Sequence, residues 1–233
     1  MRVTRRLIET IAYREGFGDV LAEGSASLAE QFRVPQLAMT MKPSSPKPGR
    51  PRRYDLYPAP GFRNQDAAYA VAALDELGER LFDLVSDLPQ DAADFVPKGA
   101  INSIAMLVVH MAWAEAGWIA RVTQAPIPPD LQQRLRPGRQ AATGDLSPSS
   151  VSVSQQIELC RRVRQEVTRP ALRSLTDIDV EITDAQRPMT VRGVLMHLIW
   201  HWTYHSGQVG LLRRLWGRSR YQWTFGEQLG TPR

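Results

Sequence analysis

The sequence predicts an all-α fold, a four-helix bundle carrying an N-terminal helical appendage. Two observations lead to it. Four long segments between residues 66 and 216 repeat apolar residues at helical spacing, and a stretch rich in Pro, Gly, Ser and Arg, residues 125–149, is long enough for a crossover connection or a lid. A third observation bears on what such a bundle would hold: all four histidines fall on the predicted helices, three of them on the last.

A chain of 233 residues suffices for one sizeable core or for one domain with appendages. With 43% hydrophobic and 23% charged residues, it has the composition of a soluble globular protein. No apolar run approaches the roughly 20 residues that cross a bilayer, and the first residues lack the apolar core of a signal peptide, so no membrane partner and a cytoplasmic location are expected. Cys160 stands alone, which excludes an internal disulfide and a cysteine zinc site; any metal must be held by nitrogen and oxygen ligands. The net charge of +5 is uneven. Residues 1–62 carry ten Lys/Arg against six Asp/Glu, leaving 19 against 18 for the rest.

At the front, Leu7, Ile8, Ile11 and Ala12 form one apolar stripe and Val20, Leu21, Leu28, Ala29 and Phe32 another, with Gly16-Phe-Gly18 between them. Residues 1–42 are thus expected to be a helical appendage. Six prolines and several Lys/Arg make residues 43–62 an extended linker. Within it, Pro48-Gly-Arg-Pro-Arg-Arg53 has the look of an AT-hook but lacks the first arginine of that motif; a solvated basic linker is the better reading.

The bundle is expected over residues 63–218, followed by a tail at 219–233. Ala70, Leu74, Leu77, Leu81, Leu84 and Val85 predict a first helix over residues 66–88, closed by Pro89. Asn102 or Ser103 caps a second, running from Ile104 to about Thr123. Leu159, Val163 and Val167 mark a third over residues 153–175, and Val180-Glu-Ile-Thr reads as a short strand or extended turn. Thr190 caps the fourth, where no proline interrupts the next 26 residues and Val194, Leu195, Leu198, Val209, Leu212 and Leu215 form the apolar stripe.

On that fourth helix His197, His201 and His205 are spaced i, i+4, i+8. Each is rotated about 40° from the last, with neighbouring Cβ atoms about 6 Å apart. Two neighbours of such a ladder can chelate one ion. His110 lies on the second helix, with Leu107 and Ala114 on its face, and is expected to be buried. Its partner is then a backbone carbonyl, a tyrosine hydroxyl, or a metal shared with the ladder. Trp113, Trp200, Trp202 and Tyr204 either wall an apolar pocket above such a metal or are plain core. Glu115, at i+5 from His110, is expected on a solvent-exposed face or in a surface salt bridge.

Two stretches carry resemblances. The run Ile8-Glu-Thr-Ile-Ala-Tyr-Arg-Glu-Gly-Phe-Gly-Asp-Val-Leu-Ala-Glu-Gly24, continuing through Ala29-Glu-Gln-Phe32, resembles about 35 residues of the tungsten-dependent aldehyde ferredoxin oxidoreductases. That family needs cysteine ligands for an iron–sulfur cluster, which a chain with Cys160 alone does not supply, so the segment reads as a structural remnant or a fusion scar. The motifs Asn102-Ser-Ile-Ala-Met-Leu-Val-Val-His110 and His197-Leu-Ile-Trp-His-Trp-Thr-Tyr-His-Ser-Gly-Gln208 resemble those of the DinB-like, or YfiT-like, metal-binding bundles, over residues 63–217.

The second resemblance implies an up-down-down-up bundle, a frequent homodimer and a divalent ion, zinc or nickel, held by His110, His201 and His205. His197 is left as a hydrogen-bond partner, an alternative ligand or a core residue, and Gln208 is placed to orient His205. Three imidazoles leave an open coordination position, which suits catalysis more than structure. The expected function is a metal-dependent thiol S-transferase or hydrolase acting on a small molecule, with a low-molecular-weight thiol or another small substrate as partner. The alternative is a metal-binding stress-response protein without turnover. A nucleic-acid partner, drawn to the basic front, finds no support in the near-neutral main body.

Overall fold

A computed structural model of the protein describes residues 56–182 and 188–218. The expected helical appendage of residues 1–42, the linker up to residue 55 with its Pro48–Arg53 motif, and the tail 219–233 lie outside the described residues. The chain divides into two units between residues 44 and 45, and all described residues belong to the second.

The described part is mostly helical. In chain order it contains α1 (Gln65–Val85), α2 (Gln90–Asp94), α3 (Ile104–Thr123), α4 (Pro129–Leu135) running into a 3-10 turn (Arg136–Gly138), and α5 (Val153–Arg162). A π-helical turn (Val163–Thr168), α6 (Arg169–Arg173), β1 (Glu181–Ile182), β2 (Met189–Thr190) and α7 (Val191–Leu215) follow. β1 and β2 pair antiparallel, so the short strand expected near residue 181 forms, with its partner immediately before α7. Residues 125–149 are not simply a loop, because α4 and the 3-10 turn form inside them.

Each long helix starts where a side chain can take up an orphan backbone N–H. Asn64 accepts from the Ala67 amide, Ser103 from Met106, Ser152 from Gln155 and Thr190 from Gly193. Of the two cap candidates for α3, Ser103 does the capping. Asn102 instead ties down the crossover, its Oδ1 accepting from the Leu146 amide and its Nδ2 donating to the Gly144 carbonyl. Residues 56–62 are held as well: the buried Ala59 donates its amide to the Ala68 carbonyl, and Phe62 packs on the core.

Side-chain pairs fix the helix directions. Arg192, at the start of α7, meets Asp66, at the start of α1, while Arg213, near the end of α7, meets Asp87 and the Leu84 carbonyl, so these two helices run parallel. His110 lies against His205 and Trp118 against His197, so α3 and α7 are antiparallel. Cys160 faces the Val108 carbonyl and Arg164 and Thr168 face Glu115, making α3 and the third long segment parallel. Glu79 approaches Arg161 and Asp75 approaches Arg164 and Arg169, placing α1 antiparallel to it.

The third long segment differs from the expected single helix. It passes through the π turn, in which the Arg169 amide bonds to the Arg164 carbonyl five residues back. Pro170 follows at once and has no N–H for a carbonyl of the preceding turn, which favours a change of winding there. Leu159, Val163 and Val167 are buried as their spacing predicts.

Glu115 corrects the sequence reading: it is fully buried, not on the surface. Burial of a carboxylate demands paired donors. Arg164 supplies two, Nε to Oε1 at 2.7 Å and Nη2 to Oε2 at 2.8 Å, and the Thr168 hydroxyl donates to Oε1 at 2.5 Å. The remaining Arg164 nitrogen, Nη1, donates to Asp75 at 2.7 Å, and Arg169 also reaches that carboxylate. Leu215, counted in the buried stripe of α7, is exposed, because the buried face of the helix ends at Leu212 and Arg213.

We predict that Glu115→Ala, which leaves two nitrogens of the buried Arg164 guanidinium without their carboxylate and Asp75 as its remaining partner, costs about 3 kcal/mol in urea unfolding. The double variant Glu115→Leu/Arg164→Met, which removes both charges, should recover most of that loss. A double variant no more stable than the single would show that the pair is not the source of the penalty.

Candidate metal centre

Two helices bring the site together. On α7, His201 and His205 are one turn apart with ring centroids 4.4 Å from each other, and across the helix interface His110 of α3 lies 5.0 Å from both. The Nε2 atoms of His110 and His201 face each other at 3.2 Å, and the three imidazoles offer ring nitrogens that all lie within 4.8 Å of one another. His110 and His201 are buried and His205 is half-buried.

Each imidazole must still place two nitrogens, and the outer one fixes what the inner one can do. His110 Nδ1 is 2.9 Å from the Gly138 carbonyl, an acceptor only, so Nδ1 carries the proton and the Nε2 lone pair points into the cluster. His205 Nδ1 is 2.6 Å from Gln208 Oε1, with the same consequence. Tyr204 completes that arm by accepting a hydrogen bond from Gln208 Nε2. Burial disfavours the charged form of all three rings. It lowers the pKa of His110 and of His205 against the opposing hydrogen bonds, and lowers that of His201 to about 3, where the neighbouring histidines add to the effect. Three neutral imidazoles, two of them with Nε2 lone pairs turned inward and His201 Nε2 facing the same point, are the donor set that a borderline divalent ion requires, so the residues present fit such an ion.

Gly138 was not visible as a site residue in the sequence. It is the last residue of the 3-10 turn and lies so close to α3 that a Cβ there would stand 2.5 Å from the Val109 carbonyl oxygen and 2.7 Å from the Trp113 Cβ. Only a glycine lets the crossover seat its backbone on α3 and hand a carbonyl to His110. The nearest sequence signal is a Pro-Gly pair in a polar loop, which marks a turn but not its contact.

The other expected residues fall as follows. His197 is exposed, one turn from His201, with its ring 5.6 Å from Trp118 and 5.7 Å from Trp200. Trp202 is core, whereas Trp200 and Tyr204 are exposed and stack on each other beside the site. Trp113 lies half-buried over His110. Burial pushes the Cys160 thiol up to about 12 and its S–H faces the Val108 carbonyl, so it is an inert packing residue. A cleft of about 410 Å³ between α1 and the third long segment, lined by Asp75, Phe82, Arg161 and Trp202 among others, contains none of the histidines.

Residues 70–216 match the family model described as Mycothiol-S-transferase. The chain belongs to the mycothiol-S-transferase family. That match takes in both helices of the histidine cluster and bears out the resemblance to DinB-like proteins. A conserved protein from Enterococcus faecalis, known from its crystal structure, shares the fold at 18% identity with a TM-score of 0.52, covering 63% of this chain and 94% of its own. Residues 2–72 match a second family model, Aldehyde ferredoxin oxidoreductase, domains 2 & 3. The tungsten-containing aldehyde ferredoxin oxidoreductase of Pyrococcus furiosus is 66% identical over 35 residues, 15% of this chain and 6% of that enzyme. Among the described residues, no helix is long and apolar enough to cross a membrane.

Two outcomes follow from this geometry. In the metal-free protein, histidines whose pKa is lowered by folding bind fewer protons than the unfolded chain. Stability should therefore fall as pH drops from about 6.5 toward the folded value of about 3 for His201, by at most about 1.4 kcal/mol per pH unit for that group. Thermal melts between pH 7 and 5 should show a shallower slope for His201→Gln, and an unchanged slope would remove His201 from the account. Gly138→Ala should weaken zinc binding by about 10–100-fold in a competition titration by displacing the Nδ1 acceptor of His110. Unaltered affinity in a folded variant would show that the carbonyl does not matter.

Proposed function

We propose that this chain is a divalent-metal-dependent transferase that joins a low-molecular-weight thiol to a small electrophile, with His110, His201 and His205 as the ligands of zinc or nickel. The observation that carries the reading is the convergence of three neutral imidazoles, two of them locked with Nε2 deprotonated by Gly138 and Gln208. When bound, such an ion supplies Lewis acidity that brings the pKa of a thiol or water toward neutrality. The family description supports a thiol, mycothiol being the one it names. The fold around the site is proposed to be an up-down-down-up four-helix bundle, a reading supported by the helix directions given above.

This chain's own side chains narrow the chemistry. Cys160 holds its proton and faces α3, so the sulfur nucleophile must arrive with the substrate. Glu115 is committed to Arg164 and Thr168 and is unavailable as a general base. Gln208 holds the His205 ring in place through Nδ1, and Gly138 does the same for His110. His197, exposed and edged by tryptophans, lines the approach and is not a ligand in this reading.

The test combines metal analysis with turnover. Alanine at His110, His201 or His205 should each lower zinc affinity by at least about 100-fold, Gln208→Ala by about 10–100-fold, and His197→Ala by less. Conjugation of mycothiol to monobromobimane should disappear on chelation and return with zinc or nickel. Tight metal binding with no conjugation of any low-molecular-weight thiol would favour the non-catalytic, metal-binding alternative.

A further inference from the structure

The outer surface of α7 is unlike that of an ordinary amphipathic helix. From Gly193 to Leu212 it carries no Asp, Glu, Lys or Arg. At about 100° per residue, the core-facing residues Val194, Leu198, Trp202 and Val209 share one arc, with His205 within it and His201 at its edge. The adjoining arc, turned to solvent, holds Met196, Trp200 and Tyr204, of which Trp200 is 58% and Tyr204 50% exposed. A solvent arc is where polar residues belong, and tryptophan is ordinarily among the more buried residues.

These rings form a continuous wall that ends at the histidine cluster. Trp118 of α3 meets the His197 ring at 5.6 Å, and His197 meets Trp200 at 5.7 Å. Trp200 and Tyr204 are nearly parallel, 18° apart with centroids at 5.4 Å, and Tyr204 meets His205 edge-on at 5.1 Å. The aromatic part spans the two turns level with His201 and His205. Beyond Gly207 the exposed apolar residues are the aliphatic Leu211 and Leu215. The Arg121 guanidinium lies over the Trp118 face at 5.6 Å.

We propose that Trp200 and Tyr204, flanked by His197 and Trp118, seat a neutral, planar apolar group of the electrophilic substrate and so determine which electrophiles are used. This deepens the transferase reading and rests on it. A group whose reacting atom lies at the histidine cluster extends naturally over Tyr204 and Trp200, within the reach of one or two rings. Exposed aromatic side chains bind flat rings by offset stacking, which aliphatic surface does not reproduce. A strip without formal charge favours a neutral group over an anionic one.

The direct test is isothermal titration of 1,3-dinitrobenzene, a flat probe without a leaving group, into the zinc-loaded full chain. Because it needs no thiol and no turnover, it stays readable if the transferase reading fails. Trp200→Ala and Tyr204→Ala should each weaken binding at least 5-fold, and Leu211→Ala less than 2-fold, with zinc stoichiometry and thermal melts unchanged in Trp200→Ala and Leu211→Ala. With thiol present, Trp200→Ala should lower kcat/KM for 1-chloro-2,4-dinitrobenzene at least 5-fold and leave that for iodoacetamide unaltered. The proposal is overturned by absence of binding to the wild-type protein, or by equal weakening in Leu211→Ala. It is overturned too by a dimer in sedimentation that Trp200→Ala dissociates, with the probe binding only the monomer, since the wall is then covered by a second copy.

Discussion

A buried imidazole has two nitrogens to satisfy, and much of the arrangement follows from how His110 does so. On its Nδ1 side it meets a main-chain carbonyl from the crossover, which requires the 3-10 turn to sit on α3 at a distance that only a glycine at position 138 permits. On its Nε2 side stand the histidines of α7, which fixes the register of that helix against α3. One side chain thus ties together three stretches far apart in sequence. Desolvation then keeps the rings neutral, so burial, which penalises a charged group, here prepares a set of lone pairs.

The second constraint is electrostatic and lies across α3 from the first. Glu115, Arg164, Thr168, Asp75 and Arg169 join α1, α3 and the third long segment through directional bonds. Apolar packing alone would tolerate sliding of these helices, whereas a bidentate pair in a dry interior has one good geometry. The Arg164 guanidinium also lies 5.6 Å from the Trp202 ring, the residue after His201, so the network braces the back of the helix that carries two of the three histidines.

Much of this was legible in the residues. The i, i+4 spacing of His201 and His205 and the apolar surroundings of His110 pointed to a shared interior, and the caps Ser103 and Thr190 stood where the helices begin. What could not be read depends on contacts between distant segments. Glu115 looked like a surface residue because periodicity assumes a solvent face, and α3, packed by other elements on nearly every side, has almost none. Trp200 and Tyr204 looked more like core than like a pocket wall, since helical spacing of aromatics does not say which arc faces out. Gly138 carried only a turn signal, for the close approach that gives it meaning exists only once the crossover has docked.

The π turn between α5 and α6 fits one more residue into the helix than regular winding would use. Seen as a change in length, it is an accommodated single-residue insertion, and its effect is rotational. Every side chain after it is turned by roughly one residue step, about 100°, relative to an uninterrupted helix. In the present phase Arg169 reaches Asp75 and Leu172 is fully buried. Winding the same residues as plain α-helix would swing Leu172 away from the core, whereas losing one residue together with the π turn would leave the end of the helix in its present phase.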